Sequence, residues 1–255
     1  TFAGTKERYK PIKKETTAKK KTHPLKTIKI LCRNKYFILI TLAFAVIYTS
    51  LGLTGGSRIY YAKYVLGDEM LNSTMTMFNY IPTILTIMLI PVFTKRFGKI
   101  KALFVGFLFY AAGLVLEIAG PVNLPMIYTG LVLQGIGHAA LYSCLFAIVG
   151  DVVDYSEWKD GIREEGITYS VTSFGQKIGT GLGTAALGWI LAAGHYDGTA
   201  AVQSASAIFA IKGLFLYLPL VITVIVLIIW YLFMGIDKIY PTVRKELDER
   251  REKAE

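Results

Sequence analysis

Six long apolar runs, parted by short charged or glycine- and proline-containing breaks, constrain this chain more than any other feature. They cover roughly 36–62, 74–93, 102–119, 126–149, 167–193 and 208–234. A helix needs about 20 consecutive apolar residues to cross the hydrocarbon core of a bilayer, and most of the runs meet or approach that length. Backbone polar groups cannot be left bare in lipid, so helices are the default. The runs lack strict polar/apolar alternation, which argues against a barrel. The breaks carry turn chemistry: Gly67 with Asp68, Gly98 with Lys99, Gly120 with Pro121, Gly194 with His195, and Asp197 with Gly198. The expectation is an all-α polytopic membrane protein. A six-helix bundle spans 36–234, between a cytoplasmic tail at 1–35 and another at 235–255.

Charge placement sets the orientation. Residues 1–35 hold twelve Lys and Arg, and the tail after Gly235 holds six. Lys95, Arg96, Lys99 and Lys101 fall in the 94–101 loop, and Lys159 and Arg163 in the 150–166 loop. The alternate loops near 63–73, 120–125 and 194–207 hold only Lys63. This bias places both termini in the cytoplasm and the protein in the cell membrane. A net charge of +10 could point to nucleic acid. The cations flank apolar spans, however, and a mean hydropathy of +0.47 is high for a soluble domain. They fit topology and contact with anionic lipid, and no nucleic-acid partner is expected. Cys32 and Cys144 are too few and too far apart for a disulfide framework or a metal motif. The chain opens on Thr1 and the first apolar run follows a long basic stretch, so no signal peptide is expected. It reads as a fragment or separated half of something longer.

Polar residues inside the runs are the candidate functional groups, because they are costly to keep in lipid. The first run contains Gly55 and Gly56 followed by Arg58. Two readings stand: a kink with Arg58 reaching the outer interface, or a discontinuous helix lining a cavity. The second run contains Pro82 and Pro91. In the fourth, Gln134, His138 and Tyr142 share one face at i, i+4, i+8, as interhelical hydrogen bonding or as substrate contacts. In the fifth, Tyr169, Thr172, Ser173, Gln176, Lys177, Thr180 and Thr184 occupy one half of the helix surface. Gly175, Gly179 and Gly183 form an adjoining stripe, which permits close backbone approach. Lys177 falls near mid-membrane at the helical rise of about 1.5 Å per residue. An ammonium there needs a carboxylate, a ligand or a water-filled cavity.

The stretch DVVDYSEWKDGIREEG (151–166) holds six acidic and two basic side chains. A solvated turn is the plain reading. A divalent-cation site lacks the His/Cys set or EF-hand spacing. The third reading is a conformational ion-pair latch through Asp151, Asp154 and Arg163.

Taken together, DVVDYSEWKDGIREEGITYSV (151–171) and QKIG (176–179) resemble the glycoside–pentoside–hexuronide:cation symporters, whose familiar members include the melibiose and lactose carriers. That family belongs to the major facilitator superfamily. PVFTKRFGKIK (91–101) is similar to the superfamily's basic loop between helices eight and nine, YYAKYVLG (60–67) to the end of the seventh helix, and TKERY (5–9) to the central loop. The resemblance covers the chain as the C-terminal half of a twelve-helix carrier. It implies a Na+- or H+-coupled sugar or glycoside symporter with no catalytic residues, no resident metal and no cofactor beyond the co-transported ion. Lys177 matches the family's helix-eleven lysine beside sugar and cation. Tyr142 takes the place of a sugar-contacting aromatic, where the melibiose carrier has Trp. Thr172 and Ser173 match the polar pair a turn earlier, with Gln176 beside them. The family's cation-binding carboxylates lie in an N-terminal six-helix half, the expected partner. The alternatives are a non-transporting assembly subunit, or a membrane-embedded metal-dependent enzyme using Asp151 and Asp154.

Overall fold

The computed structural model describes residues 30–161 and 163–252, and among them the regular structure is helical throughout. The basic tail and the TKERY stretch therefore lie almost wholly outside the described residues. α1 is Lys35–Tyr64, α2 Leu71–Ile87, α3 Ile90–Phe97 and α4 Lys99–Ala119. α5 is Leu124–Asp160 and α6 Glu165–Ala193. α7, Ala205–Lys212, runs through a π-helical turn, Gly213–Tyr217, into α8, Leu218–Phe233, and α9 is Gly235–Glu252.

Each apolar run is helical, but the helices differ in kind. Among the described residues four helical segments are long and apolar enough to cross a membrane, and α2 with α3 makes a fifth if that bent pair is one span. The pair bends by 55° where α2 meets α3. Pro91 stands in the first turn of α3, where its missing N–H is harmless. α6 has the length, at 29 residues, but is not among the apolar candidates. Ser170, Ser173, Gln176, Lys177 and Thr180 dilute its apolar character.

Of the two readings of the first run, the discontinuous helix is overturned: α1 is one helix through Gly55 and Gly56. The neighbouring glycines serve packing. A Cβ on Gly52 would lie 2.7 Å from the Thr180 carbonyl oxygen, and one on Gly56 3.2 Å from the Leu187 side chain. Arg58 stays half-buried, with its guanidinium donating to Thr76 Oγ1 at 3.1 Å.

The 150–166 loop of the sequence reading is corrected. α5 continues to Asp160, and only a short link precedes α6. The cause is an apolar face that outlasts the apolar run. Val152, Val153 and Tyr155 are buried, and the Tyr155 ring meets Tyr36 edge-on at 4.9 Å. Gly161 ends the helix at φ 66°, a left-handed position that glycine takes without a Cβ penalty.

Two glycine-mediated helix pairs organise the bundle. α1 packs along α6, and α4 along α5. In the second pair a Cβ on Gly113 would lie 2.4 Å from the Gly130 carbonyl oxygen, and one on Gly137 2.5 Å from that of Gly106. Asp237 of α9 accepts the backbone N–H groups of Ile100 and Lys101 at 3.1 and 3.2 Å. It thereby caps α4, whose start would otherwise present unpaired donors.

Candidate functional site

α6 separates packing from polarity. Its buried stripe is Gly175, Gly179 and Gly183. A Cβ on Gly179 would lie 2.3 Å from the Ala45 carbonyl oxygen, and one on Gly183 2.2 Å from that of Thr49. These glycines let α1 lie directly on α6. The α6 backbone is thereby fixed, and its other face is left open.

That face carries most of the residues expected at a substrate. Lys177 is exposed, and Ser173 and Gln176 are half-buried. A recess of about 430 Å³ is lined by Tyr169, Ser170, Ser173, Phe174 and Lys177. The Tyr169 hydroxyl donates to the Phe146 carbonyl oxygen of α5 at 3.5 Å. Tyr142, one turn from Phe146, is 46% exposed. Ser173 and Lys177 thus line one recess, whereas Tyr142 and Gln176 are not among its lining residues. Thr172 is not among them either. It is fully buried, and its hydroxyl is engaged by the carbonyls of Thr168 and Tyr169 at 3.1 and 3.0 Å. Among the described residues Lys177 has no salt-bridge partner.

The Gln134, His138, Tyr142 stripe divides. Gln134 is buried and donates to Glu117 Oε1 at 2.7 Å. His138 is half-buried, 3.4 Å from Asn79 Oδ1, with the Tyr110 ring at 5.0 Å. Asn79 is fixed by donating to the Leu131 carbonyl oxygen at 3.2 Å. The first two members join helices, and Tyr142 is the exposed one.

The charged end of α5 is a connected cluster. Lys99 Nζ donates to both oxygens of Asp151, at 2.7 and 2.8 Å. Arg163 donates to Asp154 at 2.9 Å, to Glu157 at 2.6 Å and to Glu165 at 2.9 Å. The Tyr240 hydroxyl reaches the second Asp154 oxygen at 2.9 Å. Trp158 Nε1 donates to Glu246 at 2.7 Å, and Arg251 to Glu157 at 3.1 Å. α9 is therefore strapped across the end of α5. Sequence reasoning named Asp151, Asp154 and Arg163 but missed Lys99 as a partner, and it missed Tyr240, Glu246 and Arg251. Their link to α5 is long-range and leaves no local pattern. With both oxygens on Lys99, Asp151 offers little to a metal ion.

Lys99→Ala is expected to lower the unfolding temperature in detergent by leaving a buried carboxylate uncompensated. The cost is about 1–3 kcal/mol once the partial exposure of Lys99 is allowed for. Adding Asp151→Asn should recover part of the loss. A double variant no more stable than Lys99→Ala would show that the pair carries no such coupling.

Comparison with known proteins agrees with this architecture. The family described as MFS/sugar transport protein matches residues 1–238. The isoprimeverose transporter of Lactiplantibacillus pentosus is 32% identical over 98% of this chain and 51% of its own length. The glucuronide carrier protein homolog of Escherichia coli K12 is 26% identical over 88% of this chain and 50% of its own length. The chain thus spans about half the length of these curated relatives. The match runs through the spans, the acidic stretch and the lysine-bearing helix alike, and the chain belongs to the MFS/sugar transport protein family.

Proposed function

We propose that this chain is the C-terminal half of a cation-coupled sugar or glycoside symporter. It forms one wall of a central cavity, and an N-terminal six-helix half forms the other. The two work by alternating access around a site near mid-membrane. The observation that carries this reading is the open polar side of α6, where Lys177 stands exposed beside Ser173, Gln176 and Tyr169. A lipid-facing ammonium is costly, so a second body or a water-filled cavity belongs there. Lys177 supplies charge and hydrogen bonds to sugar hydroxyls, Ser173 and Gln176 add donors and acceptors, and Tyr142 offers a ring face. Asp151, Asp154 and Arg163 act in the conformational cycle as an ion-pair cluster, and Thr172 supports the site from behind. The names of the relatives, an isoprimeverose transporter and a glucuronide carrier homolog, support a glycoside-sized substrate. The Lys/Arg bias supports both termini in the cytoplasm.

Accumulation of radiolabelled glycosides into vesicles under an imposed Na+ or pH gradient tests the coupling in the complete carrier. Uptake that only equilibrates, whichever gradient is imposed, would remove the symport reading. Topology is tested with Cys32→Ser as background, because Cys32 is exposed while Cys144 is buried. Asp160→Cys should resist an impermeant maleimide in intact cells and Thr199→Cys should label, both sites being exposed. Labelling at 160 alone would invert the orientation.

A further inference from the structure

Glu117 is a carboxyl group that the sugar site does not use. It is fully buried, in the last turn of α4, three residues before Gly120. One oxygen accepts from Gln134, and the other, Oε2, has no partner. Gly130 leaves room for its stem, since a Cβ there would lie 2.6 Å from Glu117 Cγ. Three effects act against a charge at this place. No water reaches it, only one oxygen is satisfied, and the C-terminal end of a helix repels an anion.

Two effects act the other way, the first being the hydrogen bond that Gln134 donates. Arg58 of α1 lies close enough for its charge to act on the carboxyl, and its own buried Nε has no partner either. The other ionisable groups facing Glu117 are Tyr61 of α1 and Tyr110 of its own helix. His138 of α5 stands behind Tyr110, and Tyr217 of the π-helical turn beyond Tyr61. α8 carries a single titratable group, Tyr231, in its last turn, and Lys95, Arg96 and Asp237 gather at the opposite, Lys99 end of α4. The cover over Glu117 is thin. Tyr61 donates its hydroxyl to the Pro121 carbonyl oxygen in the adjoining loop, and the helix end is only about 5 Å away at the rise per residue.

We propose that Glu117 is a proton-binding site, which holds a proton while this end of the bundle is closed and gives it to water when the end opens. The O–H bond of the carboxyl breaks, its electron pair stays on the carboxylate, and the proton leaves as hydronium. The carboxylate is then met by Arg58, which joins two buried orphan atoms of opposite sign. Closure returns the proton. The site itself stands on the chain's geometry; only its coupling to sugar movement rests on the carrier reading.

The test is infrared spectroscopy of the 255-residue chain in lipid nanodiscs, recorded across pH as wild type minus Glu117→Gln. Solvated carboxyls lose their protons near pH 4. A carboxyl C=O band present above about pH 5 that gives way to carboxylate bands before about pH 10 is the expected difference. Glu117→Asp, which keeps a carboxyl if the glutamine variant folds poorly, should move that band without abolishing the transition. No band at any pH above about 5 would mean a permanent ion pair, and a band unchanged to about pH 10 a permanently neutral hydrogen-bonding group. Either result overturns the proposal. Sugar uptake plays no part in this reading, so failure of the symporter assignment leaves it standing or falling separately.

Discussion

Lys177→Ala is expected to cut sugar accumulation by roughly tenfold or more in the complete carrier, with protein levels preserved. The figure corresponds to the ~1.5–3 kcal/mol that a hydrogen bond to a charged group contributes. Lys177 is exposed and makes no salt bridge among the described residues, so its removal breaks no internal contact of the fold. Stability should therefore hold while transport falls. Lys177→Arg keeps the charge but changes its shape, and should recover binding only in part. Accumulation at the wild-type level by the alanine variant would show that the ammonium has no part in transport.

Gly179→Leu should have the largest structural effect. Even its Cβ would lie 2.3 Å from the Ala45 carbonyl oxygen, and backbone cannot yield there as a flexible side chain can. α1 and α6 would have to part, at or above the ~1–3 kcal/mol typical of overpacking. The expected result is loss of folded protein from the membrane fraction and a lower unfolding temperature of what remains. Gly181→Ala is the matched control, since a Cβ there meets nothing within 4 Å. It should be neutral or stabilising by about 0.5–1 kcal/mol, the helical advantage of alanine. Equal behaviour of the two variants would contradict the packing account.

Sequence and structure agree most closely where lipid dictates the chemistry. All six runs are helical because an apolar stretch with no outside partners for its backbone must be helical. The glycine stripe of α6 was legible from its four-residue spacing. That of α4 and α5 was not, although Gly106 and Gly113, like Gly130 and Gly137, stand seven apart, a two-turn spacing that would have shown it. The end of α5 was misread because hydropathy stops near residue 149 while helix-spaced Val152, Val153 and Tyr155 continue the buried face. The 55° bend left only Pro91 as a trace.

For the candidate site, the polar half of α6 was visible as a pattern, and Ser173 and Lys177 of that half line the recess. Thr172 shows the limit of that reasoning. A helical wheel gives a residue's angle but not whether its hydroxyl turns back onto its own carbonyls, as this one does. Glu117 was missed because a single acidic residue at the end of an apolar run looks like the start of a loop. Only its contact with Gln134, which requires α4 and α5 to be in register, reveals it as buried.

The central claim is that this chain supplies one wall of a sugar cavity whose other wall lies in a preceding six-helix half. The most direct measurement is ion-gradient-driven uptake of a radiolabelled glycoside into liposomes, by the 255-residue chain alone and by the chain joined with that half. The account predicts no saturable accumulation by the chain alone, and accumulation once both halves are present. Saturable, gradient-driven uptake by the chain alone would show that it works as a homodimeric half-carrier, and would contradict the account.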